Sequence, residues 1–110
     1  MRHPIEIEDI EGMRRLAGID DVELRNEIRA LRRGDMVKLT FWAGPTSECL
    51  FVRITRIRGI TFRGELANAP ACAGLSVLRI GSGVTFTADH IHSLARKESL
   101  KDYPKAANAR

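Results

Sequence analysis

The segment Gly34–Leu66, GDMVKLTFWAGPTSECLFVRITRIRGITFRGEL, decides the fold of this 110-residue chain. It reads as three consecutive strands, at about 35–43, 48–57 and 61–67. In the first, Val37, Leu39 and Phe41 alternate with Met36, Lys38, Thr40 and Trp42, the period-two pattern of a half-buried strand. Gly44-Pro45 and Gly59 supply the turns between strands. In the second strand Val52 and Ile54 share a face but Ile57 breaks parity. A bulge near Thr55-Arg56 returns Ile57 to the core side. The third contributes Phe62 and Leu66.

Upstream of these strands the apolar period changes. Residues 1–8 contain Pro4 and read as an irregular or short extended lead. Ile10, Met13, Leu16 and Ala17 then fit a short helix from about Ile7. Gly12 weakens it, since an interior glycine costs about 1 kcal/mol relative to alanine. Gly18 suits its C-terminal cap. A second helix is predicted with Asp20 as N-cap, Glu23 completing a capping-box-like start, and Leu24, Ile28 and Leu31 on one seam. Arg25, Arg29 and Arg32 line a neighbouring stripe, and Gly34 stops the helix.

Downstream, Asn68–Gly74 reads as a loop, and Leu75–Ile80 is apolar enough to pack beneath the strands. Leu31-Arg32-Arg33-Gly34-Asp35-Met36-Val37 is echoed 47 residues later as Leu78-Arg79-Ile80-Gly81-Ser82-Gly83-Val84. Each copy reads as a glycine turn feeding a strand, which makes Val84–Thr87 the fourth strand, with Val84 and Phe86 inward. Ala88–His90 forms a turn and Ile91–Leu94 a fifth strand. Residues 95–110 are polar, without sustained apolar period, and are expected to be disordered.

Short strands polar on one face hide the other by closing into a barrel. The expected fold is α+β: a small SH3-like, alternatively OB-like, antiparallel β-barrel over residues 34–94. Residues 1–33 form its N-terminal helical cap, within one compact domain. Its core should join Val37, Leu39, Phe41, Val52, Ile54, Phe62, Leu66, Val84 and Phe86, with Leu24, Ile28 and Leu31 docked on it. Residues 31–94 resemble a family of small uncharacterised bacterial β-barrel domains. The shared features are Gly34-Asp35-x-Val37-x-Leu39, Val52-x-Ile54-Thr55-x-Ile57-x-Gly59, Phe62-x-Gly64-x-Leu66, Pro70 and Val84-x-Phe86-x-x-x-His90-Ile91. Ser82-Gly83 departs from the Asp expected in the second glycine turn. The resemblance implies a small β-barrel and carries over no catalytic residue.

Function is less marked. The formal net charge is +4. The first 30 residues sum to −3, residues 34–94 to +2 and the last 16 to +3. Such a balance suits nucleic-acid or other anionic partners without forming a strongly basic face. Two cysteines, Cys49 and Cys72, are too few for a disulfide framework. Neither has a base or helix N-terminus beside it in sequence. The chain has no signal-peptide-like apolar run and nothing near the roughly 18 apolar residues of a membrane span, so a cytoplasmic protein with no membrane partner is expected.

No G-x-S-x-G, H-E-x-x-H or P-loop occurs, so neither enzyme activity nor a cofactor is expected. His90 and His92 would share a strand face, but two histidines fall short of a zinc site. The expected role of His90 is to cap a turn with Asp89, with His92 on the solvent side. A helix-turn-helix reading of the paired helices fails at Arg14, where the first helix needs a small residue. The best candidate surface is the outer sheet face, where Lys38, Trp42, Arg53 and Arg63 provide phosphate contacts and one stacking platform for RNA or single-stranded DNA. The alternative is a protein-interaction adaptor or inhibitor using Arg25, Arg29 and Arg32 or a barrel edge.

Overall fold

The computed structural model describes residues 4–95; Ala95, expected to begin a disordered tail, ends a strand instead, and the rest of that expectation, residues 96–110, lies outside the described residues. The elements run β1 (Ile5–Ile7), α1 (Ile10–Leu16), α2 (Val22–Arg29), β2 (Met36–Ala43), β3 (Thr46–Arg58), β4 (Thr61–Leu66), β5 (Gly83–Thr87) and β6 (Ile91–Ala95). All strand pairs are antiparallel. Strands β2 to β5 form a meander, and a 3-10 turn at Ala88–His90 sends β6 back onto β2. That order is SH3-like. An OB-like barrel would need a Greek-key crossing, which consecutive neighbours exclude. The lead segment contributes a strand: β1 takes the edge of β2 at Phe41–Ala43, beyond the part that β6 covers.

All nine core residues expected from β-periodicity lie in one buried cluster, together with Ala43, Leu50, Leu75 and Ile91. Leu31 belongs to it and Ile28 packs against it, whereas Leu24 is buried beside β6 outside the cluster. The bulge in β3 is present: Ile54 pairs with Gly64 and Arg56 with Arg63, leaving Thr55 as the extra residue. The Thr55 hydroxyl donates to the Arg63 carbonyl at 3.1 Å, satisfying an acceptor across the disrupted ladder. Gly64 is needed there because a Cβ would lie 2.5 Å from the Arg53 carbonyl oxygen and 2.6 Å from Val52 Cγ1.

The helices differ from expectation at their ends. Asp21, one residue later than expected, caps α2 by accepting from the Leu24 N–H at 3.0 Å, because the Asp20 carboxylate is bound by Arg25. The helix also stops at Arg29, not at Gly34. Residues 32–35 instead form a turn docked on the barrel. Arg32 N–H donates to the Asp35 carboxylate at 2.9 Å, Gly34 N–H to the Ile54 carbonyl at 2.8 Å, and Ile54 N–H to the Asp35 carbonyl at 2.8 Å. The echoed segment does the same. Arg79 N–H donates to Ser82 Oγ at 2.9 Å, Gly81 N–H to the Leu66 carbonyl at 2.8 Å, and Leu66 N–H to the Ser82 carbonyl at 2.9 Å. Gly34 and Gly81 have φ of +95° and +94°, conformations that suit glycine. Ser82 thus does with a hydroxyl what Asp35 does with a carboxylate.

Gly12, a liability by propensity, has a packing reason in α1. The Asp9 cap sits where its Cβ would be, 2.5 Å from Oδ2, and accepts the Gly12 N–H at 2.8 Å. Only Ile10 of this helix is buried, and Leu16 is 92% exposed.

The loop after β4 closes one barrel end. Leu75 is fully buried there, on a 3-10 turn at Ala73–Leu75. Glu48 holds the loop by accepting from the N–H groups of Ala71 at 2.9 Å and Cys72 at 3.0 Å. Burial pushes its pKa up, but the hydrogen bonds from Ala71 and Cys72 outweigh burial and leave it below the usual carboxylate value. The stability from this contact is therefore complete above the unfolded carboxylate range and lost as pH falls through the depressed folded value. Glu48→Gln should flatten that part of the acid dependence, read by urea unfolding at pH 7 and in steps below pH 5. Gly64→Ala should lower stability by about 1–3 kcal/mol, as overpacking does, read by the urea midpoint at neutral pH.

Candidate nucleic-acid interface

The outer face of the sheet carries the residues expected to bind nucleic acid, but the register divides them. Trp42 lies opposite Ser47, near the β2–β3 turn, while Arg53 lies opposite Met36 at the far end of β2. Six strand positions separate the two sites, roughly 20 Å at 3.3 Å per residue. Trp42 and Arg53 share the outer face but are therefore not neighbours. Parity reports the face and says nothing of position along it.

The two ends also differ in charge. Trp42 is half-buried, and its indole N–H donates to Glu8 Oε1 at 3.0 Å. Glu6 on β1 is its cross-strand partner. Two carboxylates thus flank the only tryptophan, an unfavourable setting for phosphate. Lys38, between the two ends, stands 5.6 Å over the Phe51 ring.

At the other end the charge is basic. Arg53 pairs in register with Glu65 and donates to the Gly34 carbonyl at 3.2 Å. Beyond the bulge, Arg56 lies directly opposite Arg63, and Arg58 opposite Thr61. All three arginines are exposed and, with Thr61, Phe62 and Thr85, line a shallow cavity of about 240 Å³. Arg56 and Arg58 were missing from the sequence-derived set. Their signal was the bulge itself: if Ile57 turns inward after an extra residue, its neighbours on either side turn outward.

The helix stripe is divided too. Arg25 is bound to Asp20, Arg29 is exposed on α2, and Arg32 lies past the helix end. His90 does cap a turn, but with Thr87: its Nδ1 accepts the Thr87 N–H at 3.0 Å. Since His90 belongs to the 3-10 turn and His92 to β6, they do not share a strand face. His92 is half-buried against β2, where the register slips by one residue, and its carbonyl accepts from Arg14 at 3.1 Å. Burial, then Lys38 and Arg14, hold its pKa below the usual value. Among the described residues no three His, Cys, Asp or Glu side chains are grouped to hold a metal ion. Cys49 is exposed, with Sγ 3.3 Å from Thr40 Oγ1. Burial, followed by Glu48, pushes the Cys72 thiol up, away from the thiolate.

Among the described residues no helix is long and apolar enough to cross a membrane. Comparison with protein-family models, with curated proteins and with solved structures gave no match. What is known of the class therefore comes from the fold, an SH3-like barrel with a helical cap. Trp42→Phe removes the indole donor while keeping an apolar ring, and should cost about 1 kcal/mol, the worth of a partly exposed hydrogen bond. Chemical denaturation checks this, and Glu8→Gln should cost less because its amide oxygen still accepts.

Proposed function

We propose that this protein is a binding module for single-stranded nucleic acid, which it holds by the phosphates on the β3–β4 hairpin with low sequence specificity. One arrangement carries the reading: Arg56 directly opposite Arg63, with Arg58 two residues on and no acidic residue from Arg56 to Gly64. Like charges in direct cross-strand register oppose pairing. A phosphate between them turns that repulsion into paired, charge-assisted hydrogen bonds, for which the guanidinium fork is well suited. Thr61 and Thr85 add hydroxyls at the same cavity. Contacts to phosphate carry no sequence information directly, hence the low specificity. Arg63 keeps its expected part and Arg56 and Arg58 join it, while Arg53, opposite Glu65, and the Trp42 end take none.

Fluorescence anisotropy with a labelled single-stranded 20-mer tests this. Three phosphate contacts predict a log–log salt slope of about −2, so affinity should fall about 15- to 20-fold between 50 and 200 mM salt. The double variant Arg56→Glu/Arg63→Glu, at exposed positions, should lose this binding without a change in melting temperature. A wild type without salt-sensitive affinity, or a double variant that binds as well, refutes the proposal.

A further inference from the structure

A second concavity, of about 420 Å³, lies between the helical cap and the inner side of the same hairpin. Its size is that of a small-ligand pocket. Ile28, Leu31, Ile57 and Phe62 form apolar walls, and Ile60, 70% exposed at the hairpin tip, forms a lip. Glu11, Arg15, Arg25, Arg29 and Asp89 also line it, Glu11 and Arg15 as an ion pair at 3.6 Å. Arg25 is held by Asp20, whereas Arg29 and Asp89 have neither a hydrogen bond nor an ion pair from their side chains among the described residues. An apolar slot with an unengaged cation and an unengaged carboxylate suits a ligand with three parts: a flat apolar body, an edge of hydrogen-bond donors, and an anionic group.

We infer that this groove takes one guanine nucleotide. The inference rests on the nucleic-acid reading and extends it from phosphate contacts to one base. A carboxylate offers two acceptor oxygens and no donor. Guanine presents two adjacent N–H donors on its Watson–Crick edge, which match it. Uracil presents one N–H between two carbonyls, and adenine and cytosine place an acceptor nitrogen beside their amino group, so each meets the Asp89 carboxylate less well. The base lies against the apolar walls, as splayed bases do on apolar or planar side chains, and the phosphate reaches Arg29. Phe62 lines both this groove and the arginine cavity on the other side of the hairpin. A strand passing around the Gly59-Ile60 tip connects the two.

The test is titration of the isotope-labelled full chain with GMP and with UMP, followed by amide chemical shifts. GMP should give saturable shifts at Gly59, Ile60, Ala88 and Asp89, and bind at least about fivefold tighter than UMP, the lower end of what a bidentate base contact discriminates. Asp89→Asn should remove the preference, and Arg29→Ala should weaken both nucleotides alike. Equal affinity for GMP and UMP, or shifts absent from the groove, overturns the inference. If the 20-mer still binds through Arg56 and Arg63 while GMP leaves the groove unperturbed, this inference alone fails. If GMP fills the groove while the Arg56→Glu/Arg63→Glu variant binds the 20-mer normally, the phosphate-face reading alone fails.

Discussion

One extra residue in β3 shapes both the inside and the outside of this barrel. A strand of 13 residues must curve to serve a small closed sheet, and the bulge at Thr55 provides the bend. Inside, it moves Ile57 onto the core side after Val52 and Ile54. Outside, it brings Arg56 and Arg58 to the surface in line with Arg63. Gly64 belongs to the same device, since the bent strand passes too close to leave room for a side chain. The core packing and the arginine cluster are two consequences of one backbone irregularity.

The cluster is affordable where it stands. Even two unit charges about 4 Å apart repel by only about 1 kcal/mol in water. Salt screens that further at an exposed hairpin. The barrel beneath it buries a continuous set of aliphatic and aromatic side chains, each worth roughly 1.5–3 kcal/mol, so the outer face tolerates local repulsion. The opposite end of the sheet has the reverse character, with Glu6 and Glu8 around Trp42. The two ends of the face thus differ in the sign of their exposed charge.

The two glycine turns show how different residues meet the same backbone demand. At each, a glycine at positive φ lets the chain dock against a barrel strand through two backbone hydrogen bonds. An acceptor side chain on the following residue closes the turn. Carboxylate and hydroxyl are interchangeable there because only one N–H needs an acceptor, so the departure of Ser82 from the expected Asp leaves the geometry intact.

Whatever depends on near neighbours in the chain was legible in the sequence. Alternation at Val37–Phe41 set a strand, the broken parity at Ile57 set a bulge, and the repeated Leu-Arg-x-Gly pattern placed the start of β5. Strand pairing, by contrast, joins residues far apart. No local pattern reveals that β1 shares an edge of β2 with β6, that Leu75 and Glu48 close the loop end, or that Trp42 and Arg53 stand at opposite ends of one face. The α2 boundary belongs with these, because the hydrogen bonds between residues 34–35 and Ile54 draw the chain out of the helix before Gly34. Periodicity determines which side of an element faces the core. Only the tertiary register, through hydrogen bonds between distant segments, decides which side chains stand together.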